Sequence, residues 1–203
     1  MGKKTIKINV PENMDEVSVE KYMEYLEAVE GKEKDIEVYG RLALRVFCGI
    51  DDELEKKMPK KERDKIAVIL MGLVNKSYPL VKRFEFDGVE YGFHPNLDGM
   101  SLAEFVDADQ YSGGWENVAR FLAVLYRPII KSRGDRYEID IYKGSGELEG
   151  VMKKQPASLY LGVSSFFLRL GIGLMNYTLN SMNNEKYQRM MNETLAKSGV
   201  GLG

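Results

Sequence analysis

The dipeptide Asp87-Gly88 constrains this chain more than any other two residues. It separates two alternating runs, Leu80-Val81-Lys82-Arg83-Phe84-Glu85-Phe86 and Val89-Glu90-Tyr91-Gly92-Phe93. A type I′ turn needs φ > 0 at both central residues, and Asp-Gly provides it, so the stretch predicts an antiparallel hairpin. A two-residue turn also sets the register, which puts Phe84 and Phe86 on one face with Val89, Tyr91 and Phe93. His94-Pro95-Asn96-Leu97-Asp98-Gly99 reads as a loop. Ser101 then caps a helix, Glu104 reaches back to complete a capping box, and Met100 is placed to staple onto Phe105. That helix runs from Leu102 to about Tyr111, where Ser112-Gly113-Gly114 breaks it. A further helix spans Trp115 to Tyr126, with Val118, Phe121, Leu122 and Leu125 at helical spacing and Pro128 ending it. Ile129-Ile130 and Tyr137-Glu138-Ile139-Asp140-Ile141 predict a second strand pair around Ser132-Arg133-Gly134-Asp135.

The chain ahead of this middle stretch is mostly helical by pattern. Thr5-Ile6-Lys7-Ile8-Asn9-Val10 alternates as a half-buried strand stopped by Pro11. Ser18 caps a helix to about Glu30 with Val19, Tyr22, Met23, Leu26 and Val29 as its stripe, and Gly31 stops it. The next helix covers about Glu33 to Cys48, with Ile36, Tyr39, Ala43, Val46 and Phe47 inward. A short acidic-to-basic turn follows Asp51 and Asp52, its charge order suited to the helix dipole. Pro59 opens a helix to about Asn75, where Ile66, Ile69, Leu70 and Leu73 face inward and Val68, Met71 and Val74 widen the arc. After the second strand pair come a loop at residues 143–146 and a short helix from Glu147 to Lys154.

Residues 157–175 are the most hydrophobic segment. Their length meets the requirement for crossing a bilayer, but Arg169, Ser164, Ser165 and Tyr160 lie inside. A central Arg costs about 2.5–3.5 kcal/mol on insertion scales, so a buried or partner-facing helix is the preferred reading. Gly162, Gly171 and Gly173 would let another backbone approach. The expected fold is therefore α+β: a mainly helical single domain over residues 1–175 with a small antiparallel sheet. That sheet combines the Asp87-Gly88 hairpin with strands near 5–10 and 129–142. Residues 176–203 form a C-terminal helical or extended interaction tail.

Composition narrows the function classes. Among 203 residues, 29 basic against 31 acidic side chains give a net charge of −2, which argues against a dedicated nucleic-acid binder. The one cysteine, Cys48, lies in an apolar run and reads as a buried structural thiol. The N-terminal residues have no apolar run of signal-peptide length, and the expected location is the cytoplasm or a particle assembled in it. The one histidine, His94, has Asp98, Glu104, Asp107 and Asp109 nearby in sequence. No H-x-x-x-H or C-x-x-C pair supports a metal, and Asp107 and Asp109 point about 200° apart on a helix. No phosphate-loop, dinucleotide or nucleophile-elbow motif is present, so no enzyme, cofactor or metal is expected. Lys82, Arg83, Arg127, Lys131, Arg133 and Arg136 with Tyr126, Tyr137 and Tyr142 could form a basic–aromatic surface for nucleic acid, weakened by interleaved acids.

Three segments taken together carry a resemblance. They are Phe86-Asp87-Gly88-Val89-Glu90-Tyr91-Gly92-Phe93 with Pro95-Asn96-Leu97, then Met100-Ser101-Leu102-Ala103-Glu104-Phe105-Val106-Asp107, then Leu122-Ala123-Val124-Leu125-Tyr126-Arg127-Pro128-Ile129. With Val19-Glu20-Lys21-Tyr22 and Phe47-Cys48-Gly49-Ile50, this order resembles virion-morphogenesis proteins of tailed bacteriophages. The particular likeness is to the tail assembly chaperone-like or structural proteins of crAss-like and related Bacteroidetes phages, over about residues 5–175. The resemblance implies a non-enzymatic virion component or tail-assembly factor, with other phage structural proteins and copies of itself as partners. The alternatives are a chaperone absent from the mature particle and a nucleic-acid-associated phage protein. The residues expected at the partner interface are Arg169, Tyr177, Met182, Tyr187, Met190, Met191 and Leu195, because Met and Tyr are enriched at interfaces and Met repacks around varied partners.

Overall fold

The computed structural model describes residues 7–33 and 35–197. It divides into two compact units between Val163 and Ser164, where the sequence reading placed the end of the globular domain at residue 175. The first unit is α+β and mainly helical, with a small four-stranded antiparallel sheet.

Helix α1 (Val19–Val29) starts where expected: the Ser18 side chain accepts from the Lys21 N–H. Helix α2 (Ile36–Cys48) is capped by Asp35 and stopped by Gly49 in the left-handed region. Helix α3 (Asp52–Lys57) is capped by Asp51, and α4 (Lys60–Val74) begins directly after Pro59. The contact between α2 and α4 explains a correction. A Cβ on Gly40 would sit 2.8 Å from the Ala67 Cβ, so the two backbones meet along Gly40 and Ala67. That line turns Ala67, Leu70 and Met71 inward and leaves exposed both Ile69, expected to face inward, and Val68, expected to widen the arc. Ile36, at the first turn of α2, is exposed as well.

The core of this helical layer joins Met14, Tyr22, Tyr25, Leu44, Phe47, Ile50, Leu70 and Tyr78. Tyr25 and Phe47 rings lie 5.0 Å apart between centroids, and Tyr22 and Tyr160 lie 5.9 Å apart. Cys48 is half-buried rather than fully buried, and burial pushes its thiol pKa up. Glu55 of α3 is buried and receives Arg41 and Arg45 from one face of α2, with Arg63 of α4 alongside. Burial alone would raise the Glu55 carboxyl; hydrogen bonds from Arg41 and Arg45 outweigh it and hold the group below its usual range.

The sheet is a meander of β1 (Arg83–Phe86), β2 (Val89–Phe93), β3 (Tyr126–Arg133) and β4 (Arg136–Ile139). Asp87 and Gly88 have φ of 52° and 74°, as the type I′ turn requires. Phe84 pairs with Tyr91, their rings stacked at 5.2 Å, and the Tyr126 ring lies 5.4 Å from both Phe84 and Phe93. Residues 7–10, expected as part of a strand, form none; Thr5 and Ile6 lie outside the described residues. Ile8 and Val10 pack against the helical core instead. Alternation reports which side chains seek an apolar surface, and a helix layer satisfies it without a ladder partner.

Between the strands, α5 (Leu102–Tyr111) carries the complete Ser101–Glu104 capping box, although Phe105 is exposed and so adds nothing to the core. A 3-10 turn at Trp115–Asn117 leads into α6 (Val118–Leu125), which passes directly into β3 at Tyr126, ahead of Pro128. Helix α7 (Gly146–Lys153) precedes α8 (Ala157–Lys197), a continuous helix of 41 residues.

Candidate assembly interface

Helix α8 is anchored before its first turn ends. The Val19 N–H donates to the Gln155 carbonyl at 2.7 Å, and the Ala157 N–H donates to Val17 at 2.7 Å. Ala157, Leu159, Leu161 and Val163 are buried. A Cβ on Gly162 would stand 2.3 Å from the Pro79 carbonyl oxygen, so at this glycine a second backbone does pass close. Gly171 and Gly173 have no other atom within 4 Å of the corresponding position.

Beyond Val163 the pattern reverses. Leu168, Leu170, Ile172, Leu174, Met175, Tyr177, Leu179 and Met182 are all exposed, from 43% for Leu170 to 74% for Tyr177. Two of the expected interface residues, Tyr177 and Met182, belong to this set; they are five residues apart and so lie about 140° apart on the helix. Arg169 is exposed on a flank between them, and Met190 is exposed nearer the C-terminus. The side chains of Tyr187, Met191 and Leu195 lie outside the described residues. The sequence reading missed Leu168, Ile172 and Leu179 as a set. Their signal was available in the +4, +3, +4, +3 steps of Leu168, Ile172, Met175, Leu179 and Met182.

From Ala157 to Met182, α8 is long and apolar enough to cross a membrane. Its buried part is the beginning. Ala157, Leu159, Leu161 and Val163 are core residues of the first unit, which leaves residues 164–182 for a bilayer. At 1.5 Å per residue that is about 28 Å, close to the hydrocarbon thickness, but with Arg169, Asn176 and Asn180 inside it.

The titratable residues of the central stretch meet in the first unit. His94 Nε2 lies 3.4 Å from Glu104 Oε1, the same oxygen that pairs with Arg127, and all three side chains are buried. Burial lowers the His94 pKa, and the net shift stays downward although Glu104 pulls it up. Burial raises the Glu104 carboxyl, but hydrogen bonds from Ser101 and the Arg127 charge bring it below its usual range. The Arg127 guanidinium lies 5.6 Å from the Tyr142 ring centroid, and its Nε is buried without a hydrogen-bond partner among the described residues. The Tyr142 hydroxyl donates to Asp107. Arg127, expected on a basic–aromatic surface, is thus a buried clamp between β3 and the N-terminus of α5. Tyr126 is buried too, its hydroxyl donating to the Val81 carbonyl at 2.6 Å. Arg83 lies over the Tyr137 ring at 4.5 Å and donates to the Gly134 carbonyl, and Lys131 pairs with Glu138. These cations and rings serve the sheet's own contacts. Among the described residues no three His, Cys, Asp or Glu side chains are placed to hold a metal ion. No family model, curated protein or solved structure matches this chain.

Proposed function

We propose that this chain is a non-enzymatic structural or assembly protein of a tailed-bacteriophage particle, acting through protein contacts made by α8. The observation that carries the reading is the run of exposed apolar side chains from Leu168 to Met182 on a helix anchored in a folded unit. An apolar surface of this extent on a soluble chain marks an interaction site. Protein is favoured over lipid as the partner because the segment left after the core residues holds Arg169, Asn176 and Asn180. The phage assignment rests on the sequence resemblance of the hairpin, the capping-box helix and the Ala123–Pro128 segment. The test is a mass-spectrometric inventory of purified particles and isolated assembly intermediates of the source phage. The chain is expected in one of them, and Leu174→Lys with Met182→Lys is expected to remove it while the melting of the first unit is unchanged. Absence from both fractions, with normal infectivity of the double variant, would refute the reading.

A further inference from the structure

Tyr39 of α2, Trp115 of the 3-10 turn and Tyr160 near the start of α8 are each half-buried and border one cleft with the last turn of α1. All of them precede Ser164, so the cleft belongs to the first unit. Its volume is about 550 Å³, within the roughly 300–1,000 Å³ of small-ligand sites, which are lined by aromatic side chains and a few polar groups. Three features give this cleft a sign. Glu30 lies on it, and its Oε2 accepts from the Trp115 indole N–H at 2.7 Å. Among the described residues no donor reaches Glu30 Oε1 and no cation pairs with the carboxylate. Helix α1 ends here without a basic residue in its last turn, so the negative end of its dipole meets no neighbouring charge on the helix. The rings themselves attract cations through their faces. Elsewhere the chain meets that attraction with its own side chains: Lys76, Arg83, Arg120 and Arg127 lie over Tyr78, Tyr137, Tyr111 and Tyr142 at 4.5–5.9 Å. Among the described residues no cation lies over Tyr39, Trp115 or Tyr160.

We propose that this cleft binds an alkylguanidinium group, stacked on its aromatic wall and donating N–H hydrogen bonds to Glu30 Oε1. A quaternary ammonium would satisfy the rings but offers Oε1 no donor. A primary ammonium offers a donor but is compact and strongly hydrated, whereas the guanidinium is planar, weakly hydrated and stacks on aromatic faces. Lys32 is the one cation among the described lining residues; it is exposed, and its charge opposes the ligand. The opposition is that of a solvated surface charge and so is small beside the carboxylate and the rings together. An alkylguanidinium reaches the cleft either as a free small molecule or as the side chain of an arginine in a polypeptide, and the probes separate the two.

Trp115 is the one tryptophan in the chain, so its fluorescence reports on the cleft directly. The experiment titrates the full chain at constant ionic strength with ethylguanidinium, with N-acetylarginine methylamide, and with N-acetylcitrulline methylamide, which keeps the shape without the charge. Both guanidinium probes are expected to change the emission saturably with a Kd of about 1–10 mM, and the citrulline probe to leave it unchanged. Tighter binding of the arginine derivative than of ethylguanidinium assigns the site to a polypeptide side chain, and the reverse order to a free small molecule. Glu30→Gln keeps an acceptor for the indole while removing the charge, and should weaken binding by about fivefold. Lys32→Ala should tighten it by about twofold. Both residues are exposed, so both variants are expected to melt as the wild type does. The proposal is overturned if the citrulline probe binds as well as the arginine one, if Glu30→Gln leaves the Kd unchanged, or if neither guanidinium probe saturates below about 50 mM.

Discussion

Substituting one glycine by alanine in three helices of the first unit should give opposite signs, and the structure says which is which. At Gly72 in α4 and Gly150 in α7 an added Cβ meets nothing within 4 Å. Both positions are exposed and helical, so the change removes backbone freedom from the unfolded chain and stabilises by up to about 1 kcal/mol. At Gly162 the same Cβ would stand 2.3 Å from the Pro79 carbonyl oxygen and 3.1 Å from its carbon. That neighbour is backbone, without a rotamer to change, so either α8 or the segment at Pro79 and Leu80 must move. Overpacking of this kind costs about 1–3 kcal/mol, and the helix-propensity gain of roughly 1 kcal/mol offsets only part of it. For a unit of this size each kcal/mol moves Tm by about 2–4 °C, so Gly162→Ala is expected to melt several degrees lower and the two controls slightly higher. Urea unfolding followed by far-UV circular dichroism measures all three. A Gly162→Ala protein as stable as Gly72→Ala would show that the close passage of Pro79 over α8 is wrong, and with it the anchoring of the helix start.

Two further outcomes test the buried charges. Glu55→Gln leaves Arg41, Arg45 and Arg63 converging on a neutral amide, and is expected to destabilise by about 1–3 kcal/mol, moderated because the arginines reach water; an unchanged urea midpoint would mean the carboxylate does not tie α3 to α2 and α4. Acidification should weaken the fold in two stages. The His94 pKa is lowered by burial, so below about pH 6.5 the unfolded chain takes up a proton that the folded one refuses, and stability falls. The Glu104 and Glu55 carboxyls are held low in the fold, so their contribution is present above about pH 4.5 and lost as pH drops through their folded values. Because His94 is the one histidine in the chain, His94→Gln should flatten the unfolding free energy between pH 6.5 and 5 and leave the fall below 4.5 in place. A slope unchanged by that substitution would contradict the buried neutral imidazole.

Local rules carried much of the fold. The Asp87-Gly88 turn, the hairpin register, the Ser18 cap, the Ser101–Glu104 capping box and the break at Ser112-Gly113-Gly114 all follow from backbone preferences of a few neighbouring residues. Those preferences act whatever the rest of the chain does, which is why they are readable in one dimension. The tertiary structure decided what depends on a surface brought from elsewhere. Ile8 and Val10 alternate like a strand, yet helices, not strands, cover them. Val68 and Ile69 lie outside because the Gly40–Ala67 approach sets the line along which α4 touches α2. Arg127 is a buried partner of Glu104 rather than a surface cation, and the 22 residues between them hold no signal for that pairing. Apolarity in residues 157–175 was evident from composition, but whether each side chain meets core or water was not. Core packing ends at Val163 and exposure begins at Leu168, because burial is a property of neighbours distant in sequence, and a helix pattern records only which faces want them.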